Sequence, residues 1–343
     1  MTVVDPLAAL RRIAFLLERA HESTYRVKAF RTAAAVVART GPDELLARHR
    51  AHTLTELGGI GDRTAAVVAQ ALDGQVPDYL QHLEDEATEV ERLDEDGRRL
   101  MSALRGDLHS HSDWSDGGSP IEEMAMTAVE LGHEYLALTD HSPRLKVANG
   151  LSAERLRRQL GVLDALRPRL GSFRLFSGIE VDINEDGTLD QSEEMLSRLD
   201  VVVASVHSKL AMERGEMTRR MLRAIRDPHT DILGHCTGRM VMGSRQRPQS
   251  KFDPAAVFAE CAERGVAVEI NCRPERRDPP SDLLRMAVEA GCLFSLDTDS
   301  HAPGQLDWRP HGVIRAVACG VPADRIVTTW DVDRLLAWTT RER

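Results

Sequence analysis

The chain has 343 residues and a formal net charge of −10 at pH 7. Hydrophobic residues make up 42% and charged residues 29%, which excludes a wholly disordered, collagen-like or coiled-coil protein. The length exceeds that of a usual single domain, so we expect two domains. The acidic balance argues against a protein that binds nucleic acid over its whole surface.

The sequence predicts a cytoplasmic protein with no membrane partner. Its apolar runs are far shorter than the roughly 20 residues of a membrane span, and residues 1–10 lack the basic start of a signal peptide. Five cysteines lie without CxxC spacing at positions 236, 261, 272, 292 and 319. This pattern predicts free thiols in a reducing compartment.

Residues 1–83 have the periodicity of helices. Leu10, Ile13 and Leu17 recur at helical spacing, a second helix is expected over 24–37, and Pro42 begins a third. A further pair of helices is expected around the glycines of 57–61. Residues 1–50 carry nine basic and five acidic side chains, so this segment, unlike the whole chain, suits a phosphate backbone.

An acidic segment follows. Residues 84–99 contain eight acids and three arginines and have no clear apolar stripe. Such a run of charge is typical of a solvated helix or a linker. We therefore predict a small helical domain at 1–83, an acidic linker at 84–102 and a larger domain at 103–343.

From residue 103 onwards, short apolar runs alternate with helical stretches, which is the pattern of repeated βα units. The number of such runs favours a closed (β/α) barrel over an open sheet. The predicted strands lie at 106–111, 135–140, 173–181, 201–207, 232–235, 266–271 and 293–299. The fold class is therefore α/β, with a small all-α domain in front.

Histidines and acids gather at the C-terminal ends of these predicted strands, which meet at one rim of a parallel barrel, where active sites lie. Imidazole and carboxylate without thiolate suit Zn²⁺, Mn²⁺ or Fe²⁺. The number of ligands favours two or three ions that share a carboxylate such as Glu180. The other histidines are interpreted as structural. The candidate residues are His109, His111, His141, His207, His235 and His301, with Asp107, Asp116, Asp140, Glu180, Asp182 and Asp299.

Six short motifs contain these residues: DLHSHSDWSDG at 107–117, TDH at 139–141, GIE at 178–180, SVH at 205–207, GH at 234–235 and DTDSH at 297–301. In this order they resemble the ligand motifs of the polymerase and histidinol phosphatase (PHP) superfamily. The resemblance covers about residues 103–340. It implies a metal-dependent phosphoesterase whose distorted (β/α)7 barrel holds a trinuclear metal centre.

The resemblance also assigns ligands to three ions. Manganese is expected to support activity best, with zinc and iron as alternatives. Asp107 and Asp140 are expected to orient ligands rather than bind metal. The three implied sets are His109, His111, Glu180 and Asp299; Glu180, His207 and His235; and Asp116, His141 and His301.

The implied reaction is an in-line attack on phosphorus by a hydroxide that the metal ions activate. Arginine matches the geometry of a phosphate group. Arg239, Arg273 and Arg276 follow the fifth and sixth predicted strands and are therefore candidate phosphate clamps. A surface salt bridge is the alternative interpretation for each of them.

The N-terminal segment carries a second resemblance. Residues 57–66, LGGIGDRTAA, have the pattern of a helix-hairpin-helix, whose second helix offers its N-terminal amides to a DNA phosphate. With residues 25–34, YRVKAFRTAA, the segment is similar to the small N-terminal domain of family X DNA polymerases. In lyase members a nucleophilic lysine stands where this chain has Val67, so lyase chemistry is not expected. The implied DNA contacts are Lys28, Arg31, Gly59, Gly61, Arg63 and Thr64.

Bacterial family X polymerases end in a PHP domain, and the barrel motifs of this chain resemble those domains, but residues 84–102 leave no room for a polymerase palm. We therefore expect a phosphoesterase of the DNA-repair type that acts on DNA ends, as a 3′–5′ exonuclease or a 3′-phosphatase. One alternative is a small-molecule phosphatase, such as one acting on histidinol phosphate. Another is a DNA-binding module with a silent barrel, which the complete ligand set disfavours.

Overall fold

The computed structural model describes residues 4–87, 93–243 and 246–340. The chain divides into two compact units, residues 1–92 and residues 93–343. Within the described ranges, no helix combines the length and the apolar composition that crossing a bilayer requires. Each unit has its own hydrophobic core.

The first unit is all-helical, as predicted. Helix α1 begins after Asp5, whose carboxylate accepts hydrogen bonds from the amides of Leu7 and Ala8, each at 3.2 Å. One face of α1, with Leu10 and Leu17, is buried against the other helices. The helices are α1 (Pro6–Arg19), α2 (Thr24–Arg39), α3 (Pro42–Arg50), α4 (Asp62–Leu72) and α5 (Asp78–Ala87), with a single 3₁₀ turn at Leu54–Glu56 before α4.

The second unit alternates strands and helices. Its strands are β1 (Gly106–Ser110), β2 (Tyr135–Leu138), β3 (Arg174–Asp182), β4 (Val201–Ser205), β5 (Ile232–Leu233), β6 (Ala267–Asn271) and β7 (Leu293–Asp297). Its helices are α6 (Glu95–Ala103), α7 (Ile121–Glu130), α8 (Ala153–Leu166), α9 (Glu193–Leu196), α10 (Arg214–Ile225), α11 (Pro254–Arg264), α12 (Ser281–Glu289), α13 (Arg309–Ala318) and α14 (Val332–Thr339).

The seven strands are all parallel and follow one another around a nearly closed barrel in chain order. A bridge between Ser110 and Ser300 joins the first strand to the last, and the Leu108 amide donates to the Asp297 carboxylate at 2.8 Å. Residues of these strands are buried on both faces, which explains why the sequence has continuous apolar runs. The prediction of a (β/α)7 barrel behind a helical domain is confirmed.

The interior of the barrel is layered. Phe176 belongs to an apolar cluster with Val203 and Ala267, and Glu180 lies four residues beyond Phe176 on the same face of β3. Likewise, Glu269 lies two residues beyond Ala267 on the same face of β6. An apolar floor therefore lies beneath a polar layer at the carboxyl ends of the strands.

The boundary between the two units falls between residues 92 and 93, within the predicted linker at 84–102. The linker residues on each side of it belong to the neighbouring unit. Residues 95–102 of that segment belong to helix α6 of the second unit, and residues 84–87 belong to α5 of the first. Leu100 of α6 and Leu104, which directly follows the helix, are buried in the barrel's outer core, and Met101 packs against that core. These few apolar residues among many charges pack one side of the short helix on the barrel, and they were overlooked in the sequence.

Candidate metal centre

All nine predicted ligands lie at one end of the barrel. His109 and Glu180 lie within β1 and β3, while the other seven lie in the loops that follow the strands. Parallel strands run in the same direction, so residues far apart in the chain meet at this rim. The structure therefore brings together the six histidines and three acids that the sequence singled out.

Glu180 lies at the centre of the cluster and is buried. Its two carboxylate oxygens face imidazoles from five different positions of the chain. The distances are 3.3 Å from His109 Nε2, 3.5 Å from His111 Nε2 and 2.9 Å from His141 Nδ1 to Oε2, and 3.1 Å from His207 Nε2 and 2.8 Å from His235 Nε2 to Oε1. This arrangement suits a carboxylate that bridges metal ions.

Three groups of ligand atoms have mutual distances within 4.8 Å. Asp116 completes one group, since its Oδ1 lies 3.5 Å from His141 Nε2 and 3.3 Å from His301 Nε2. Asp299 lies beside another, with its Oδ1 3.4 Å from His111 Nε2. The groups are His109, His111 and Glu180; His141, Glu180 and His207; and His111, Asp116, His141 and His301.

The imidazoles are crowded against one another. The ring of His111 has its centroid 4.1 Å from that of His301 and 4.4 Å from that of His141. Burial, together with the charges that His301 and His141 can carry, holds the pKa of His111 well below its usual value. A neutral imidazole is the form that binds a metal ion.

Many polar atoms in the cluster are buried without a hydrogen-bond partner, although such atoms normally cost free energy. Divalent cations would satisfy them, and the imidazole and carboxylate donors suit zinc, manganese or iron. The residues therefore fit the metal centre that the sequence predicts. The unpartnered atoms include His109 Nε2, both ring nitrogens of His111, His141 Nδ1, Glu180 Oε2, His207 Nε2 and His235 Nδ1.

Charge keeps the acidic ligands ionised despite their burial. Burial opposes the charged form of Glu180, but the imidazoles of His207 and His109 outweigh it and hold the pKa of Glu180 well below its usual value. Burial likewise opposes the charged form of Asp299, and Arg273 and Arg276 hold its pKa well below the usual value. Both carboxylates are therefore available as ligands at neutral pH.

The cysteines are not suited to act as nucleophiles or metal ligands in the cluster. The five cysteines are all buried as free thiols. Burial raises the pKa of Cys236, Cys261 and Cys272 well above the usual value, and that of Cys292 to about 12. These thiols stay protonated and are poor nucleophiles and poor ligands.

Residues 107–273 match the family model described as the PHP domain. The barrel is a PHP domain. The family and the ligand cluster together make it a metal-dependent phosphoester hydrolase.

Two relatives match this chain, and the match covers a different share of the length of each. A DNA polymerase/3′-5′ exonuclease PolX of Bacillus subtilis (strain 168) is 39% identical over 216 residues, which cover 63% of this chain and 37% of that relative. The chain thus spans just over a third of that relative's length. A probable phosphatase of Thermoanaerobacter sp. (strain X514) is 28% identical over 206 residues, covering 57% of this chain and 78% of the relative.

A solved structure is also similar to part of the chain. It is the histidinol phosphate phosphatase of Lactococcus lactis, complexed with zinc, L-histidinol and phosphate. The TM-score is 0.44 and the sequence identity 18%, over 63% of this chain and 92% of that chain.

Two carboxylates of the PHP barrel orient ligand imidazoles from behind. Glu269 lies 2.6 Å from His109 Nδ1, and Asp182 lies 2.5 Å from His207 Nδ1. Each contact fixes the ring and leaves Nε2 turned toward Glu180. Asp182 was among the acids noted in the sequence, whereas Glu269 was missed. Its signal is an acid in the middle of the buried strand β6.

Asp107 and Asp140, predicted to orient ligands, accept hydrogen bonds from backbone amides, hydroxyls and a glutamine side chain and not from imidazole rings. Asp107 accepts from the amide of His109 at 3.0 Å and from the hydroxyl of Thr298 at 2.5 Å. Burial raises its pKa to about 6. Asp140 accepts from the Ser112 amide at 2.9 Å and from Gln159 Nε2 at 2.6 Å. The two acids hold the strand ends and the loop after β1 in place.

The three candidate arginines of the PHP domain have different surroundings. Arg276 Nε lies 3.0 Å from Asp299 Oδ2, and its Nη1 is buried without a hydrogen-bond partner. Arg273 pairs with Glu275 at 3.1 Å and lies 3.0 Å from His301 Nδ1. Arg239 instead donates to the backbone carbonyls of Arg276, at 3.0 Å, and Arg277. These carbonyl groups occupy the guanidinium of Arg239, so its side chain joins the loop after β5 to the loop after β6.

A glycine turn precedes α4, at the place where the sequence predicts a helix-hairpin-helix. Gly59 has a φ of 98°, which favours glycine, and Ile60 is buried while residues 58, 59 and 61–63 are exposed. Thr64 is buried, and its hydroxyl accepts from the Gly61 amide and donates to the Gly61 carbonyl, both at 3.0 Å. Thr64 therefore shapes the turn, and the exposed backbone and Arg63 remain the candidate DNA contacts.

The two basic residues predicted on α2 differ. Lys28 is exposed. Arg31 is largely buried and forms a two-pronged ion pair with Glu18 of α1, at 2.8 and 2.7 Å. The structure therefore gives Arg31 a different role from the predicted DNA contact: it joins α1 to α2, because a buried glutamate needs an arginine partner.

Proposed function

We propose that this protein hydrolyses phosphoester bonds at DNA ends, as a 3′–5′ exonuclease or a 3′-phosphatase. The PHP barrel is the catalytic domain, and the first unit binds the DNA. The observation that carries the hydrolytic assignment is the convergence of buried, unpartnered imidazole nitrogens on the two oxygens of Glu180.

Two observations support DNA as the substrate. The PHP region is 39% identical to a relative named DNA polymerase/3′-5′ exonuclease. The first unit has an exposed glycine hairpin before α4, with Arg63 exposed beside it. Such a hairpin grips the DNA backbone without reading bases, so binding should depend on salt and only weakly on sequence. The free thiols fit a cytoplasmic enzyme.

The ligand geometry supports three ions. Divalent ions held by these residues would supply an activated water for the attack and would neutralise the charge that develops on phosphoryl oxygens. Of these, manganese is the ion we expect to support activity best. The proposed ligand sets are His109, His111, Glu180 and Asp299; Glu180, His207 and His235; and Asp116, His141 and His301.

Arg276 is the proposed phosphate clamp. Its Nε is held by Asp299, a proposed metal ligand, at 3.0 Å, and its Nη1 is buried without a hydrogen-bond partner. A guanidinium that is anchored at one nitrogen and unpartnered at another can orient a phosphoryl oxygen beside the metal centre. Arg273 assists by holding His301 in place.

A substrate panel tests the proposal. The purified protein with Mn²⁺ is assayed on single-stranded, gapped and 3′-phosphate DNA and on histidinol phosphate. The double variant His109→Ala with His111→Ala should abolish hydrolysis and leave DNA binding intact, whereas the exposed control His82→Ala should change neither. Unchanged cleavage by the double variant would remove the assigned centre.

A small-molecule phosphatase is the second candidate. The chain covers 78% of a relative named as a probable phosphatase, far more than it covers of the polymerase relative. This candidate uses the same metal centre and has no need for the first unit. Faster turnover of histidinol phosphate than of every DNA substrate would favour it.

A further inference from the structure

An exposed patch of three residues lies on the rim of the barrel. Val241 is 38% exposed and Met242 is 45% exposed, in the loop that follows β5. Arg277, in the loop that follows β6, is exposed as well. Its Nη2 lies 3.8 Å from the sulfur of Met242, so a cation and an apolar surface lie side by side. We call these three residues the rim patch.

The rim patch is fixed next to the metal centre. Arg277 directly follows Arg276, whose Nε lies 3.0 Å from Asp299. The Val241 amide donates to the Glu275 carbonyl at 2.7 Å, and Arg239 donates to the carbonyls of both Arg276 and Arg277. The two loops therefore hold the patch in a set position relative to the proposed ligand Asp299.

The charge around the rim patch is opposite to that of the whole chain. The described residues of the loops after β5 and β6, at 234–243, 246–253 and 272–280, include six basic and three acidic residues, whereas the chain has a net charge of −10. Arg277 has no acidic partner among the residues that the structure describes. Its charge is therefore available to an anionic group.

We propose that the rim patch binds the unpaired nucleotide next to the scissile phosphate of a polynucleotide. The base packs on Met242 and Val241, and the neighbouring phosphate pairs with Arg277. This inference rests on the proposed function and deepens it, because a small phosphate ester fills the metal site without reaching the patch. The patch thus makes the barrel prefer a single-stranded end.

The chemistry of the patch fits a nucleotide. Proteins that bind single-stranded nucleic acid combine cations along the backbone with side chains against which the bases pack, usually aromatic ones. Here Met242 and Val241 would provide that surface and Arg277 the cation. Methionine provides a polarisable and adaptable apolar surface, which suits bases of any identity. Recognition at this place should therefore be independent of sequence.

The test compares two substrates of one enzyme. The variant Met242→Ser with Arg277→Gln keeps the side-chain length at 277 and removes its charge. The matched control is Met126→Ser with Arg169→Gln. Met126 lies on α7 and is about as exposed as Met242. Arg169 is exposed and precedes β3, so it lies at the amino end of that strand, away from the metal ligands. Each protein, loaded with Mn²⁺, is assayed on a labelled single-stranded oligonucleotide and on bis(p-nitrophenyl) phosphate.

We expect the rim-patch variant to lose about tenfold in kcat/KM on the oligonucleotide, mainly through KM. Its activity on the small diester should stay within about twofold of the wild type, and the control should match the wild type on both substrates. An unchanged oligonucleotide rate, or a parallel loss on both substrates, overturns the inference alone. A wild-type protein that cleaves the small diester, but neither shortens the oligonucleotide nor removes a 3′-phosphate from the same oligonucleotide, overturns the proposed function, and this inference with it.

Discussion

Glu180 illustrates how single contacts organise the metal centre. Both of its oxygens face imidazoles, and those imidazoles are in turn oriented by other carboxylates, as Glu269 orients His109. The position of Glu180 was predictable, because an acid ends an apolar run in its motif. The role of Glu269 was not, since its contact with His109 joins β6 to β1, a pairing that only the closed barrel creates.

Glu269 provides a prediction at this scale. Replacing it with glutamine keeps the size of the side chain and removes the charge that orients His109. We expect Glu269→Gln to lower metal affinity or kcat by about 10- to 100-fold. Metal titration and steady-state kinetics measure this effect. The exposed Glu122→Gln serves as control, and an unchanged metal affinity in Glu269→Gln would show that the contact has no orienting role.

Substituting Arg31 and Lys28 one at a time distinguishes a role in stability from a role in DNA binding. Arg31→Ala removes the ion pair with Glu18, whose side chain is 3% exposed, so the first unit should lose about 3–5 kcal/mol of stability. Lys28→Ala should leave stability unchanged and weaken DNA binding in a salt-dependent manner. Hydrogen exchange over residues 4–87 and a DNA titration are the measurements. A stable Arg31→Ala protein with weakened DNA binding would reverse the two roles.

The strands were predictable from the sequence, whereas one helix and the surroundings of two arginines were not. All seven apolar runs are strands, because both faces of a parallel barrel are buried, and their ends carry the ligands. Residues 84–99 were interpreted as a solvated helix or linker, because few apolar residues among the charges of α6, such as Leu100 and Met101, indicate a face that packs on the core. The surroundings of Arg239 and Arg31 were unpredictable, since their partners come from other elements.

Helix α6 can be tested through Leu100. This side chain is 6% exposed in the barrel's outer core, so Leu100→Ala should cost about 3 kcal/mol of unfolding free energy. All four tryptophans lie at positions 114, 308, 330 and 338, so urea unfolding followed by tryptophan fluorescence reports on the second unit. The exposed Arg99→Ala is the control. Equal stability of the two variants would indicate that residues 95–102 do not pack on the barrel and are part of the linker.

The whole molecule joins a phosphoesterase barrel to a helical unit that we propose binds DNA. A chain that begins at residue 93 retains α6 and should hydrolyse bis(p-nitrophenyl) phosphate like the full chain. It should bind DNA more weakly, with a shallower dependence of affinity on salt, because basic residues of the first unit are gone. A chain that begins at 104 should unfold more readily. Undiminished DNA affinity of the shorter chains would place the DNA-binding surface entirely on the barrel.

The most direct test of the shared metal centre is a count of bound ions. Elemental analysis by mass spectrometry, after dialysis of the Mn²⁺-loaded protein, compares the wild type with Glu180→Gln and with the control His82→Ala. We expect about three ions per chain in the wild type and the control, and a clear loss in Glu180→Gln, because the two oxygens of this side chain face imidazoles of different proposed ligand sets. Less than one ion per wild-type chain, or an equal count in Glu180→Gln, would contradict the account.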